Sequence, residues 1–381
     1  MQGLLLVDKG LEDTAILELK ELVKAKGKTV EPSLVLFNCK EEDLARLCYK
    51  GQSMQRVLLL LGSAACKPDL ESIEKTARKI AESVDWKSWL KKGKSFCCEA
   101  AHLIDTDFKS MDLERTIGGE VFEVLEKVKC SPKVSLKDPD LFIYAILTDK
   151  TLYLGVDFAG RDVSKRSYKL YHHATSLKGT IAYSAVRFSS FKPSETLIDP
   201  FCGSGVIPIE AALFASKFPV NHFTKNFAFE KQKDWSKSFI KWDKEAQDTE
   251  PLVFGSDHLL MNLKSSQNNA KIAGVEKWVK CSKAELEWLD THFKKASVDH
   301  IVTHPPEPSQ HQNEKIIAKL YKEFFYQADF VLKKTGKITV LIGNTSLFLE
   351  IAKERNFALE KEAEVWSGKR KYKLVQLEKA C

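Results

Sequence analysis

Long apolar runs are missing from this chain of 381 residues. No stretch reaches the roughly 18 apolar residues of a membrane-crossing helix, so no membrane partner is expected. The apolar start, Met1 to Val7, is ended by Asp8 and Lys9, too early for a secretory signal. Cysteine patterns are missing as well. The nine cysteines (Cys39, Cys48, Cys66, Cys97, Cys98, Cys130, Cys202, Cys281 and Cys381) form no Cys-x-x-Cys pair and no Cys/His cluster at zinc spacing. They read as free thiols of a reducing compartment, which predicts a cytoplasmic location and no metal. No complete Gly-x-x-x-x-Gly-Lys-Ser/Thr phosphate loop occurs. No internal repeat stands out, which sets aside a solenoid. A strong excess of one charge is absent too. The 59 basic and 52 acidic residues leave a net +7, which permits a polyanionic partner without requiring one.

What is present is the composition of a folded protein, 44% hydrophobic and 29% charged, at a length suited to two or three domains. Leu11, Ala15, Leu19 and Leu22 recur at helical spacing. Leu34 to Phe37 and Arg56 to Leu61 are strand-like, and Glu41 to Tyr49 is helical, which together predict a small α+β unit over residues 1–63. A second unit, 64–163, has helices at Leu70 to Ala81 and around Ile117, Val121, Val124 and Val128. It also has a strand at Ser95 to Ala100 and a hairpin of Leu141 to Leu147 with Thr151 to Val156. Residues 164–181 are basic and polar and read as a linker. From 182 to 381 strands and helices alternate. Strands are predicted at Glu195–Asp199, Leu252–Phe254, His300–Thr303 and Ile338–Ile342, with helices at Val206–Ser216, Leu259–Ala273 and Glu314–Leu332. A closing hairpin, Phe357–Trp366 with Tyr372–Leu377, adds an antiparallel edge. The expected fold class is therefore α/β at the C-terminal end, a mainly parallel Rossmann-like sheet, preceded by α+β units.

The strongest chemical signal is Asp199-Pro200-Phe201-Cys202-Gly203-Ser204-Gly205, between a strand and a helix. Glycines there let the backbone approach a ligand, and open parallel sheets bind ligands beyond the carboxyl ends of their strands. The third position of a dinucleotide fingerprint is occupied by Pro208, so that fingerprint is not met.

This loop, followed by Ile209-Glu210-Ala211-Ala212, resembles the cofactor loop of the THUMP-domain RNA guanine-N2 methyltransferases. Ser164-Lys165-Arg166-Ser167-Tyr168 and His173 to Tyr183 are similar to that family's segment between domains. Gly10-Leu11-Glu12-Asp13 and Arg56-Val57-Leu58 are similar to its N-terminal ferredoxin-like domain. Ser110 to Gly118 and Asp138-Pro139-Asp140 are similar to its THUMP domain. The resemblance spans nearly the whole chain in domain order. It implies a ferredoxin-like unit, a THUMP unit and a class I methyltransferase that uses S-adenosyl-L-methionine. Asp199 to Gly205 would then contact the methionine part. Asp257, ending the next strand, would accept from the ribose hydroxyls; taken alone, it reads first as a helix N-cap, and its place after the Asp199 loop favours the cofactor. The implied partner is RNA, tRNA first and ribosomal RNA second. By charge and by their place between two domains, Lys165, Arg166 and Lys169 read as phosphate contacts or, about equally, as a solvated face.

The catalytic loop departs from the pattern. The family usually has Asn or Asp, Pro, Pro and then Tyr; this chain has His304-Pro305-Pro306-Glu307. In such enzymes a side-chain acceptor and a backbone carbonyl hold the amine lone pair toward the methyl group, and the aromatic ring stacks the base. Neutral His304 can accept a hydrogen bond or a proton, and Pro305 retains its carbonyl. Glu307 cannot stack; a guanine N–H edge is a donor that it can accept. Lys283 stands where an acid often meets the adenine amine, with Glu285 two positions on. Two readings follow. One is a working guanine-N2 RNA methyltransferase with an altered loop. The other is a degenerate fold that binds RNA or a partner without catalysis.

Overall fold

The computed structural model describes residues 1–171, 177–247, 252–308 and 313–380. The first unit runs β1 (Gln2–Val7), α1 (Glu12–Val23), β2 (Gly27–Glu31), β3 (Leu34–Asn38), α2 (Glu41–Lys50) and β4 (Met54–Ala65). Its strand order, β2-β3-β1-β4, is the ferredoxin-like arrangement. The second continues through α3 (Leu70–Glu82), β5 (Ser95–His102), α4 (Ser110–Lys127), β6 (Lys133–Val134), β7 (Leu141–Leu147) and β8 (Thr151–Asp157). α3 starts where the Asp69 carboxylate accepts from the Ser72 N–H at 2.8 Å, an N-cap that satisfies one of the helix's orphan donors. Its buried face carries Ile73, Ala77, Ile80 and Ala81.

These two units share one sheet. β4 and β8 pair antiparallel from Leu58↔Asp157 to Ala65↔Thr151, giving eight strands in the order β2-β3-β1-β4-β8-β7-β5-β6. Beyond it come α5 (Gly179–Phe188), β9 (Leu197–Asp199), α6 (Val206–Ser216), α7 (Ser236–Asp243), β10 (Val253–Asp257), α8 (Leu260–Ala273), β11 (Val279–Lys283), α9 (Leu289–His292), β12 (Val298–Thr303), α10 (Glu314–Val331), β13 (Leu332–Ile342), α11 (Ser346–Glu354), β14 (Phe357–Ser367) and β15 (Arg370–Lys379). The second sheet, β11-β10-β9-β12-β13-β15-β14, is parallel through β13 and antiparallel at the closing hairpin. The chain order reverses at β9 and β12, so the crevice beyond their carboxyl ends is the topological switch point where open sheets bind ligands.

α6 is apolar or small nearly all round, and all its residues except Phe214 are buried, so it is a core helix without a wet face. Gly205 opens it in the left-handed region at φ +82°, and a Cβ there would stand 2.7 Å from Ser266 Cβ. Only glycine permits both that turn and the contact of α6 with α8.

The segment expected as a linker packs instead. Ser164, Arg166 and Tyr168 are buried, and α5 begins at Gly179. Residues 172–176, with His172, His173 and the resemblance segment that starts there, lie outside the described residues. Polar ties then lock the halves together. Asp8 accepts from Lys178 at 2.9 Å and from Thr180 at 2.6 Å; Glu21 pairs with Arg187 at 2.7 Å. One hydrophobic core runs from Leu5 and Leu59 through Ile181 and Ala211 to Trp242.

Candidate functional site

The crevice is assembled from the ends of four adjacent strands. The register pairs Gly255 of β10 with Asp199 of β9, and Ile301 of β12 with Ile198, which brings Asp257, Asp199 and Thr303 side by side. Asp199 is buried. Its Oδ1 accepts from the Thr303 hydroxyl at 2.5 Å and the Phe201 N–H at 3.1 Å. Burial away from water raises its pKa to about 7; the Thr303 and Phe201 hydrogen bonds oppose the rise, and the neighbouring Asp257 charge adds to it.

Asp257 holds the loop from the other side. Its Oδ2 accepts from the Gly203 N–H at 3.1 Å, and its Oδ1 from the Leu259 N–H at 2.9 Å and the Asn262 amide at 3.0 Å. It therefore ties the turn that leads into α8 to the glycine turn. Gly203 has φ +51°, with nothing within 4 Å of where a Cβ would be, so the turn opens onto free space. Pro200 and Ser204 are buried in the loop, and the Ser204 carbonyl accepts from Asn269 at 3.0 Å. Phe201 packs on Phe324, with ring centres 6.0 Å apart. Cys202 turns inward: its Sγ lies 3.1 Å from where a Gly255 Cβ would stand. Lys283 stands opposite Asp257 in the β10–β11 register, and both Lys283 and Glu285 are exposed.

On the β12 side, His304 Nδ1 lies 2.7 Å from the Leu341 carbonyl. A carbonyl only accepts, so Nδ1 carries the hydrogen and Nε2 keeps its lone pair. Among the described residues Nε2 has no hydrogen-bond partner. Burial lowers the pKa of His304, so the ring is neutral near pH 7. The Pro306 carbonyl accepts from the Tyr321 hydroxyl at 2.6 Å, which pins the loop to α10, while the Pro305 carbonyl accepts nothing from the described residues. Glu307 folds back onto the β13–α11 turn. Its Oε2 accepts from the N–H groups of Gly343 at 2.9 Å and Asn344 at 3.0 Å. Its Oε1 is buried without a hydrogen bond, 3.6 Å from Arg370 Nη2.

The expected phosphate contacts divide. Lys165 is exposed. Arg166 is corrected: it is buried and closed off by Glu210 (Nε to Oε1, 2.7 Å), the Gln52 carbonyl (2.5 Å) and the Val163 carbonyl (3.0 Å), so no phosphate reaches it. Lys169 is half-buried and donates to the Leu177 carbonyl at 2.6 Å. Glu210, from the Ile209-Glu210-Ala211-Ala212 run, also accepts from Tyr168 and Gln52, both at 2.7 Å. Sequence reasoning did not assign roles to Glu210, Thr303, Asn262, Tyr321 or Arg370. Thr303, next to His304, was the one with a positional clue.

A family model described as "RMKL-like, methyltransferase domain" matches residues 166–373, more than half of the chain. The chain belongs to the RMKL-like methyltransferase-domain family. A THUMP domain model matches residues 68–157, across α3 to β8. The tRNA (guanine(6)-N2)-methyltransferase of Methanocaldococcus jannaschii is 26% identical, over 92% of this chain and 91% of its own. That of Archaeoglobus fulgidus is 27% identical, over 91% and 84%. The solved structure of SMU.472, complexed with SAH, aligns at TM-score 0.82 with 21% identity, over 100% of this chain and 98% of its own, and establishes the shared fold. Among the described residues no helix is long and apolar enough to cross a membrane, and no cluster of metal-ligating side chains occurs.

Proposed function

We propose that this protein is a cytoplasmic S-adenosyl-L-methionine-dependent RNA methyltransferase that acts on the exocyclic N2 of guanine, with tRNA as substrate. The single observation that carries this reading is His304 at the mouth of the switch point, kept neutral by burial and oriented by the Leu341 carbonyl, with no partner for its Nε2 among the described residues. The relatives named for guanine-N2 transfer to tRNA and the SAH complex of the same fold support the substrate and cofactor.

The residues present fit that cofactor. Gly203 leaves space for a ligand to meet the backbone, and Asp257 and Asp199 flank it. When bound, S-adenosyl-L-methionine supplies an electrophilic methyl group on a positively charged sulfur. Asp199, with its raised pKa, ionises more readily beside such a cation. His304 Nε2 accepts a hydrogen bond from the amine, turns its lone pair toward the methyl group and takes the proton released on transfer. The Pro305 carbonyl accepts the second amine hydrogen. Pinning of the loop by Tyr321 and Glu307 keeps these acceptors in place, and orientation supplies much of the rate. The base must leave its stack to reach this pocket.

Glu307 motivates a second reading. It occupies the position of the stacking ring and is engaged by backbone amides, as in a loop kept for binding alone. Incubation of the protein with tRNA and labelled cofactor, followed by mass spectrometry of nucleosides, separates the two. Appearance of N2-methylguanosine, lost in H304A, supports the enzyme; RNA and cofactor binding without transfer supports the binding module.

A further inference from the structure

The tip of the β14–β15 hairpin reads Gly368-Lys369-Arg370-Lys371 and belongs to none of the motifs used above. Charge runs are usually solvated faces, so position has to distinguish this one. The Arg370 guanidinium lies 4.7 Å over the Tyr372 ring, and that ring meets His304 edge-on at 5.7 Å. The tip thus borders the catalytic loop. It is also docked on the first unit. The Trp366 N–H donates to the Lys9 carbonyl at 2.9 Å, and the Lys9 ammonium sits 4.6 Å over the Trp366 ring. Beside this contact opens a cavity of about 350 Å³ whose lining includes Lys9, Trp366 and Gly368 together with the carboxylates of Asp8, Glu31 and Asp149.

The charges of the tip are unevenly neutralised. Lys371 pairs with Glu364 at 2.5 Å and Lys373 with Glu362 at 3.3 Å. Lys9 and Lys369 are exposed and have no ion-pair partner among the described residues. Arg370 is 58% exposed, and its one carboxylate neighbour among them, Glu307, stands beyond hydrogen-bonding distance. Two ammonium groups and a forked guanidinium, arranged from the seam with the first unit to the edge of the catalytic loop, match a run of phosphates.

We propose that Lys9, Lys369 and Arg370 grip the RNA backbone beside the target nucleotide, so that the hairpin tip is a phosphate clamp for the crevice. The clamp rests on the RNA methyltransferase reading and adds the place where the strand is held. A phosphate between Lys369 and Arg370 exchanges for the long contact to Glu307, which keeps its two amide partners and so keeps the loop in position. The clamp fixes register without reading sequence.

The test is filter binding of total tRNA to the full chain across a salt series, for wild type, K9A/K369A and K294A/K295A. The last pair lies before β12, at the end of the sheet opposite the crevice, and is equally exposed. Each phosphate contact removed is expected to lower the slope of log K against log salt by about 1. K9A/K369A therefore loses about 2, K294A/K295A keeps the wild-type slope, and cofactor affinity by calorimetry is the same in all three. An unchanged slope in K9A/K369A overturns the clamp while leaving the enzyme reading intact. An equal loss in K294A/K295A also overturns it, because net charge then explains the effect. A wild-type protein that binds no RNA overturns both. R370Q, expected to slow transfer without weakening cofactor binding, gives a second readout.

Discussion

On the β9–β10 side of the crevice, two carboxylates close over backbone amides: Asp199 over Phe201, and Asp257 over Gly203 and Leu259. On the β12–β13 side, side chains are instead held by main-chain groups of the neighbouring turn: His304 by the Leu341 carbonyl, Glu307 by Gly343 and Asn344. The first lip presents an open glycine turn to a ligand; the second presents one nitrogen lone pair and one carbonyl, neither of them engaged among the described residues. The difference teaches that one crevice separates holding a donor from orienting an acceptor. Damage to one lip should leave the task of the other measurable.

The largest expected break of that division is H304A. It removes the acceptor and is expected to cut methyl transfer by about 10²–10⁴-fold while cofactor affinity stays within experimental error. H304N sharpens the point. An amide oxygen restores part of the rate, and the loss below the ordinary histidine range, where His304 protonates and cannot accept, disappears. Equal loss of binding and transfer in H304A would merge the two lips into one.

Next comes D257A, which frees the Gly203 and Leu259 amides. Calorimetry should show cofactor affinity falling by about 10–100-fold, the order of 1.4–3 kcal/mol for a charged hydrogen-bond hub. A smaller effect concerns pH. With the Asp199 pKa raised to about 7, the folded state keeps a proton that the unfolded chain has released above about 4. Stability from this group therefore falls as pH rises through that window. A cationic ligand favours the ionised form, so cofactor affinity should rise with pH, at most about tenfold per unit, and level off above 7. D199N should flatten both profiles. The smallest effect is expected from E307A. It releases two amides and lowers thermal stability by about 1–2 kcal/mol, with cofactor affinity unchanged.

The α/β half was legible because strand and helix periods differ and because Asp199 to Gly205 is continuous in sequence. α6 is found over the range that its residues predict, Val206–Ser216. What was not legible has physical causes. α5 is buried on nearly every side, so it shows no polar–apolar stripe, and it follows a basic segment that reads as a loop. β2 is a half-exposed edge strand of mixed polar residues, Gly27 to Glu31, without alternation. Arg166 reads as an available cation because its partner Glu210 lies 44 positions away, and a pairing at that range leaves no local signal. His304 was placed by sequence, but its tautomer depends on Leu341, on another strand.

Glu210 has a consequence for how the protein selects its target. Buried midway along α6, it takes hydrogen bonds from Gln52 of the first unit and from Arg166 and Tyr168 of the connecting segment. Sliding the first unit away would leave the Arg166–Glu210 pair intact but break its hydrogen bonds to Gln52, at about 1–3 kcal/mol for each buried polar group left without a partner. The molecule is thus a calliper with welded jaws. The span between whatever part of a transcript settles on the N-terminal sheet and the reacting atom is set before the transcript arrives, and a substrate qualifies by its dimensions.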